Sequence, residues 1–290
     1  MSDPVYRSRA VGAAIAAQYR RVLAGWPVPR TELTLPTCLG PTFVVACGPE
    51  RGPPVLLFHG SQANSAVWLP DIAAWATRFR LFAVDMVGEA GLSAPVRPDL
   101  AGDAHARWLD DVFGGLGLSR AALVGVSLGG WLALDYACRR PEAVQALALL
   151  CPAGIGRQKN FLLKALPLAL LGSWGRRRAR AMVMGPMPQV LPEAVRPLAE
   201  LMEEVGRAIK PRVVQIPRLT DAELARLDIP ILAVVGGRDV LLDSRDTCER
   251  LRRHAPQADI CFIGDGYHFL PGQASRVMDF LERTIPQPAR

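Results

Sequence analysis

Ser127 stands in Gly125-Val126-Ser127-Leu128-Gly129, with a glycine two residues to either side. An apolar run, Ala121 to Val126, leads into it, and a helix-like sequence leaves from Leu128. A strand that passes at once into a helix needs a very tight turn. Such a turn projects the hydroxyl and brings backbone against backbone where a Cβ would clash. A serine hydroxyl is a weak nucleophile at neutral pH, so it needs a base, and the base needs an acid to orient it.

The chain has four histidines. His59 ends an early apolar run. His105, between Asp103 and Arg107, and His254, before Ala255-Pro256, read as solvated surface positions. His268 lies in Gly264-Asp265-Gly266-Tyr267-His268-Phe269-Leu270, a glycine-punctuated loop near the end of the chain. Catalytic side chains are commonly carried on such loops, which makes His268 the candidate base. Gly236-Gly237-Arg238-Asp239 follows directly on the apolar run Ile231–Val235 and supplies the candidate acid, Asp239, with Asp243 and Asp265 as alternatives. The order Ser127, Asp239, His268 is the one that accompanies this kind of serine turn. Charge developing on an acyl oxygen calls for two backbone N–H donors. Leu128, at the head of its helix where the dipole favours an anion, is one. The other is expected in His59-Gly60-Ser61-Gln62, with Ser61 first and Gln62 in reserve.

These residues need a scaffold that alternates strand and helix. An N-terminal amphipathic helix is followed by a hairpin of Thr31–Pro36 and Thr42–Cys47. Val55–Phe58 is a fully apolar strand. Trp68, Ile72, Trp75 and Phe79 then fall on one helical face. Leu81–Val84, Ala121–Val126 and Ala146–Cys151 read as further strands, with helices over 99–117 and 128–137 between them. Strands apolar on both faces indicate a parallel sheet covered by helices. From 152 to 227 the strands cease, and helical pieces fall at 161–171, 176–184, 192–209 and 221–227, the last opened by the capping box Thr220/Glu223. The alternation resumes with strand 231–235, helix 244–254, strand Asp259–Ile263 and helix 272–284. The reading is a core of 1–151 and 228–290 interrupted by an all-helical insertion, 152–227.

Composition bounds the partners. The net charge of +7 over 290 residues is confined to the insertion, which holds 13 Lys/Arg against 6 Asp/Glu, while the remainder holds 21 of each. No basic stretch is interleaved with aromatics, so nucleic acid is not an expected partner. Six scattered cysteines without a C-x-x-C suit reduced thiols and a cytoplasmic setting. The short apolar stretch Val11–Ala17, followed by Gln18-Tyr19-Arg20-Arg21, suits a surface helix better than a signal peptide. No run is long enough for stable membrane insertion.

Taken together, FHGS at 58–61, VDMVGEAGLS at 84–93, GVSLGG at 125–130, GGRD at 236–239 and GYHF at 266–269 resemble the α/β-hydrolase superfamily. The likeness covers nearly all of the chain outside the insertion. It implies an eight-stranded, mostly parallel sheet with 152–227 as a helical cap. It also implies hydrolysis without metal or cofactor through an acyl-enzyme, in which His268 deprotonates Ser127 and Asp239 steadies the imidazolium. A serine nucleophile sets the chain apart from the superfamily's haloalkane dehalogenases and epoxide hydrolases, and Tyr267 stands where a small residue is usual.

A serine esterase acting on a small or medium apolar ester is the leading expectation. A thioesterase, amidase, C–C bond hydrolase or cofactor-free perhydrolase would use the same residues, and a non-catalytic receptor would keep the fold alone. Leu162, Leu163, Leu166, Leu168, Leu170, Met182, Met184 and Met187 read as an apolar acyl site or as the cap's own core. Arg176-Arg177-Arg178 with Arg180 reads as a solvated face, or as an attractor of an anionic substrate or a lipid surface.

Overall fold

The computed structural model describes residues 5–161, 166–168, 171–186, 192–193, 195–210, 212 and 214–286. Eight strands form one sheet: β1 (Arg30–Leu35), β2 (Thr42–Cys47), β3 (Pro54–Phe58), β4 (Arg80–Val84), β5 (Ala121–Val126), β6 (Val144–Leu150), β7 (Ile231–Gly236) and β8 (Asp259–Ile263). Their order is β1-β2-β4-β3-β5-β6-β7-β8. β2 runs antiparallel to both β1 and β4, and every other pairing is parallel. The parallel strands therefore deliver their C-terminal ends, and the loops that follow, to one edge, where ligands bind in open α/β sheets.

Alternate residues of each central strand feed two separate cores. Leu56 and Phe58 face one and Val55 and Leu57 the other, all fully buried. The first core is closed by α3 (Ala104–Gly115) and α4 (Leu128–Arg139), through Trp108, Leu109, Trp131 and Leu134. The second is closed by α1 (Arg9–Ala24), α2 (Leu69–Trp75) and the last helix, α9 (Ala274–Thr284), through Tyr19, Ile72 and Phe280. Each fully buried Leu, Ile or Phe contributes about 1.5–3 kcal/mol by leaving water, so this double-sided burial is what makes the strands rigid.

The expected elements are present with shifted ends. The stripe Trp68, Ile72, Trp75, Phe79 is buried, but it is built from a 3-10 turn, Ser65–Trp68, followed by the short α2, which ends at Trp75. α3 begins at Ala104, not at 99. The insertion between β6 and β7 contains α5 (Gly172–Met184), α6 (Arg196–Ala208) and α7 (Asp221–Ala225). The capping box at α7 is complete, with Glu223 N–H donating to Thr220 Oγ1 (3.2 Å) and Thr220 N–H to Glu223 Oε2 (2.7 Å). Much of the helix expected at 161–171 lies outside the described residues, as do Leu162, Leu163, Leu170 and Met187. α1 packs on α6, and Tyr6 bridges to Ile209 at the end of α6.

Candidate active site

Ser127 sits between β5 and α4 with φ +53°, a conformation that costs an L-residue about 1–3 kcal/mol and persists only where surrounding structure enforces it. The enforcement is visible in the backbone. Ser127 N–H donates to Leu150 O (3.0 Å), and Ser127 O accepts from Ala153 N–H (3.1 Å). A Cβ on Gly129 would lie 2.2 Å from Phe58 O, and one on Gly125 would lie 2.4 Å from Gly129 O. Glycine at both positions lets helix and strand close on each other. Among the described residues, the non-glycine positions with positive φ are Gln62, Ser127 and Cys151, following β3, β5 and β6 respectively. Backbone strain is thus gathered at one end of three adjacent strands.

His268 and Asp239 arrive at the same place from the loops after β8 and β7. His268 Nε2 is 2.9 Å from Ser127 Oγ, and His268 Nδ1 is 2.7 Å from Asp239 Oδ2. A carboxylate only accepts, so Nδ1 carries the ring proton and Nε2 is left to accept from the serine hydroxyl. Asp239 is almost completely enclosed, its side chain 1% exposed. Its other oxygen, Oδ1, accepts from Leu241 N–H (2.7 Å) and Leu242 N–H (3.0 Å), which fixes the carboxylate plane. Gly236 and Gly237 permit the approach: a Cβ on Gly236 would lie 2.2 Å from Tyr267 O. The His268 N–H donates to Val183 O of α5 at 3.1 Å, so the insertion holds the histidine loop from the other side. Tyr267 packs beneath Gly185, with Arg238 over its ring at 5.9 Å.

The alternatives for the acid have other partners. Asp243 caps α8 (Ser244–His254) by accepting from Asp246 N–H at 3.2 Å, and pairs with Arg157 at 3.1 Å. Asp265 is exposed.

The two candidate oxyanion donors flank the serine. Leu128 N–H is the first of α4, and Ser61 N–H belongs to the turn after β3, whose Gly60 lies against Ser127: a Cβ on Gly60 would be 3.6 Å from the serine Cβ. Neither N–H meets an acceptor among the described residues. Gln62 N–H, by contrast, donates to Glu89 Oε2 at 2.7 Å.

Two histidines depart from the surface expectation. His105 is 2% exposed, with its ring edge-on to Trp131 at 5.4 Å. Its spacing to Trp108, Leu109 and Val112 puts it on the buried stripe of α3, a signal hidden by the charges beside it. Burial, with Arg212 nearby, lowers its pKa to about 4. His254 is only partly exposed and lies 3.4 Å from Asp221. His59 is fully buried, its Nδ1–H donating to Gly60 O (2.8 Å) and its Nε2 accepting from Met86 N–H (2.9 Å). It ties the loop after β3 to the loop after β4.

Asp85, the residue after β4, was legible only as the end of a strand. It is completely buried and accepts from Tyr19 Oη–H (2.9 Å), Ser65 N–H (2.9 Å), Ser65 Oγ–H (2.7 Å) and Leu92 N–H (2.8 Å). Glu89, four residues further on, is 3% exposed.

Among the described residues, Cys151, Asp239 and His268 group their ligand atoms within 4.8 Å. The set is poorly disposed toward a metal. His268 and Asp239 already share a proton-bearing hydrogen bond, and burial, followed by the charge of Asp239, pushes the Cys151 thiol up to about 12. No described helix is long and apolar enough to cross a membrane.

Comparison with known proteins bears on the fold and the family. The family described as alpha/beta hydrolase fold matches residues 53–181. The uncharacterised carboxylesterase nap of Bacillus subtilis is 30% identical over 255 residues, 87% of this chain and 85% of the relative. Carboxylesterase YbfK of the same organism is 29% identical over 91% of this chain and 92% of its own. The crystal structure of naproxen esterase from Bacillus subtilis superposes with a TM-score of 0.80 at 28% identity, covering 95% of this chain and 98% of that one. An eight-stranded, mostly parallel sheet and kinship over most of both lengths lead to one assignment: the chain belongs to the α/β-hydrolase family.

Proposed function

We propose that the protein is a serine carboxylesterase that cleaves small or medium apolar esters through an acyl-enzyme, with Ser127 as nucleophile, His268 as base and Asp239 as its orienting acid. The observation that carries this reading is the pair of contacts on one imidazole, 2.9 Å to Ser127 Oγ and 2.7 Å to Asp239 Oδ2. His268 Nε2 takes the hydroxyl proton as Oγ attacks the ester carbonyl, and Asp239 stabilises the imidazolium that results. Negative charge moves to the carbonyl oxygen, where Ser61 and Leu128 N–H receive it. The imidazolium then protonates the departing alkoxide, leaving alcohol and acyl-Ser127. Water repeats the sequence, with His268 again as base, and releases the acid. The names of the relatives, carboxylesterases and a naproxen esterase, support an ester as the bond cleaved. Residues 152–227 are the proposed cap, whose α5 carbonyl at Val183 holds the histidine loop.

The test is hydrolysis of p-nitrophenyl acetate, butyrate and octanoate by the wild-type protein and by Ser127→Ala. Turnover favouring the shorter esters is expected, with loss of roughly 10⁵–10⁶-fold in kcat for the variant. Turnover unchanged in Ser127→Ala, or none on any ester while a thioester or amide is cleaved, overturns the reading.

A further inference from the structure

We infer that Glu89 is a positioning residue for this reaction: its carboxylate holds the Ser61–Gln62 turn in the conformation that presents Ser61 N–H to the oxyanion. The inference rests on the proposed role of Ser127 and names the group that makes the second donor available.

The turn is not one its residues would choose. Gln62 has φ +57°, a left-handed conformation that a non-glycine residue adopts only when held. The holding group is Glu89, whose Oε2 accepts from Gln62 N–H at 2.7 Å and from Ser61 Oγ–H at 3.3 Å. A carboxylate that accepts from a backbone N–H makes a short, charge-assisted bond of about twice the ordinary strength. This bond also decides which N–H faces the substrate. With Gln62 N–H drawn to Glu89, its neighbour Ser61 N–H is the one left without an acceptor among the described residues.

Glu89 is itself fixed. Its N–H donates to Met86 O (3.2 Å), its carbonyl accepts from Gly91 N–H (3.0 Å), and the preceding Gly88 has φ +74°. A Cβ on Gly88 would lie 2.6 Å from Val96 O, so the reversal that aims Glu89 toward Gln62 admits only glycine. The loops after β3 and β4 are thus clasped twice, by the His59 ring to Met86 and by Glu89 to Ser61 and Gln62. The first clasp is neutral and merely tethers. The second places a full charge at the turn that carries the donor.

A device for stability alone would not be built this way. Glu89 is 3% exposed, and its second oxygen, Oε1, has no hydrogen-bond partner among the described residues. Burying a carboxylate half-satisfied is unfavourable, and apolar packing would serve stability better. Its charge is felt in the insertion: burial lowers the pKa of Arg212, and the charge of Glu89 acts in the opposite direction.

The test compares Glu89→Ala, Glu89→Gln and the double variant Glu89→Ala/Gln62→Gly on one p-nitrophenyl ester. Loss of an oxyanion donor typically costs about 10²–10³-fold in kcat, so Glu89→Ala is expected to lose on the order of 10²-fold in kcat with KM within about threefold. Glu89→Gln keeps an acceptor for Gln62 N–H and retains kcat within about fivefold. Glycine at 62 adopts positive φ freely, so the double variant recovers part of the lost kcat without restoring the carboxylate. Affinity for a trifluoromethyl ketone, which mimics the tetrahedral species, falls in step with kcat. Should Glu89→Ala fail to fold, Glu89→Asp retracts the oxygens by one methylene and shows the same loss in kcat. Unchanged kcat in Glu89→Ala, equal loss in Glu89→Gln, or a loss confined to KM overturns the inference. A wild-type protein without Ser127-dependent turnover overturns the reading beneath it instead.

Discussion

From Ala121 to Cys151 most side chains are buried, whereas in α5 Gly175 is the one buried position among those described, and Trp174 is 55% exposed. Both stretches touch His268, the first through Ser127 and the second through the Val183 carbonyl. In the first stretch the position of each atom is enforced from several sides: two cores, two glycines without room for a Cβ, and strand hydrogen bonds on both flanks. In the second, among the described residues, the Val183 carbonyl accepts from His268 N–H and Gly185 lies against Tyr267. The proposed chemistry resides where the chain is over-determined. The proposed choice of substrate belongs to the insertion, where Leu166, Leu171 and Trp174 remain exposed.

The sharpest way to break this comparison is at the acid. Asp239 and Asp243 are four residues apart, one bonded to His268 and the other capping α8. Asp239→Asn is expected to lower kcat by about 10⁴-fold, because the amide presents the wrong partner to Nδ1–H. Asp243→Asn is expected to leave kcat within a few fold. Steady-state kinetics on both variants decide it, and equal losses would contradict the assignment of the acid.

Next in size is packing at the serine turn. Gly129→Ala forces a methyl group onto Phe58 O and is expected to destabilise the fold by roughly 3 kcal/mol or more, read as a lower midpoint in urea.

His105 gives a pH dependence located in the core. Its pKa is about 4 in the folded chain and near 6.5 when unfolded. Between those values the unfolded state binds more protons, so stability falls as pH drops from about 6.5 to 4 and no further below that. The expected share is about 3 kcal/mol at most, and His105→Phe should remove it from a plot of urea midpoint against pH. An unchanged slope in the variant would place the titration elsewhere.

The smallest effect is expected in α6, on the insertion side. A Cβ on Gly206 meets nothing within 4 Å, so Gly206→Ala should stabilise the helix by about 0.5–1 kcal/mol, opposite in sign to Gly129→Ala. A destabilised Gly206→Ala would mean that the insertion is packed as tightly as the core.

The same contrast explains what the sequence made readable. Ser127, Asp239 and His268 are legible as candidates because each follows an apolar strand and stands beside glycines, features written in adjacent residues. The sequence puts Ser61 ahead of Gln62 but not the partner that separates them, since Glu89, which accepts from Gln62 N–H, lies 27 residues away. Asp85 and His59 were equally silent, because a buried polar residue declares its partners only once loops after neighbouring strands meet. The charged neighbours of His105 suggest a surface position, whereas its spacing to Trp108 and Val112 indicates the burial that the fold shows. The insertion was legible as helical but not in its details, for its helices bury little and short apolar runs there fit a core and an acyl site alike.

The central claim is that Ser127 is a nucleophile activated by His268. Its most direct test is incubation with a fluorophosphonate, followed by peptide mass mapping of the wild-type protein and of His268→Ala. One adduct per chain is expected, on Ser127, formed far more slowly when His268 is removed. An ester-cleaving protein that remains unlabelled at Ser127, or one labelled equally fast without His268, would contradict it.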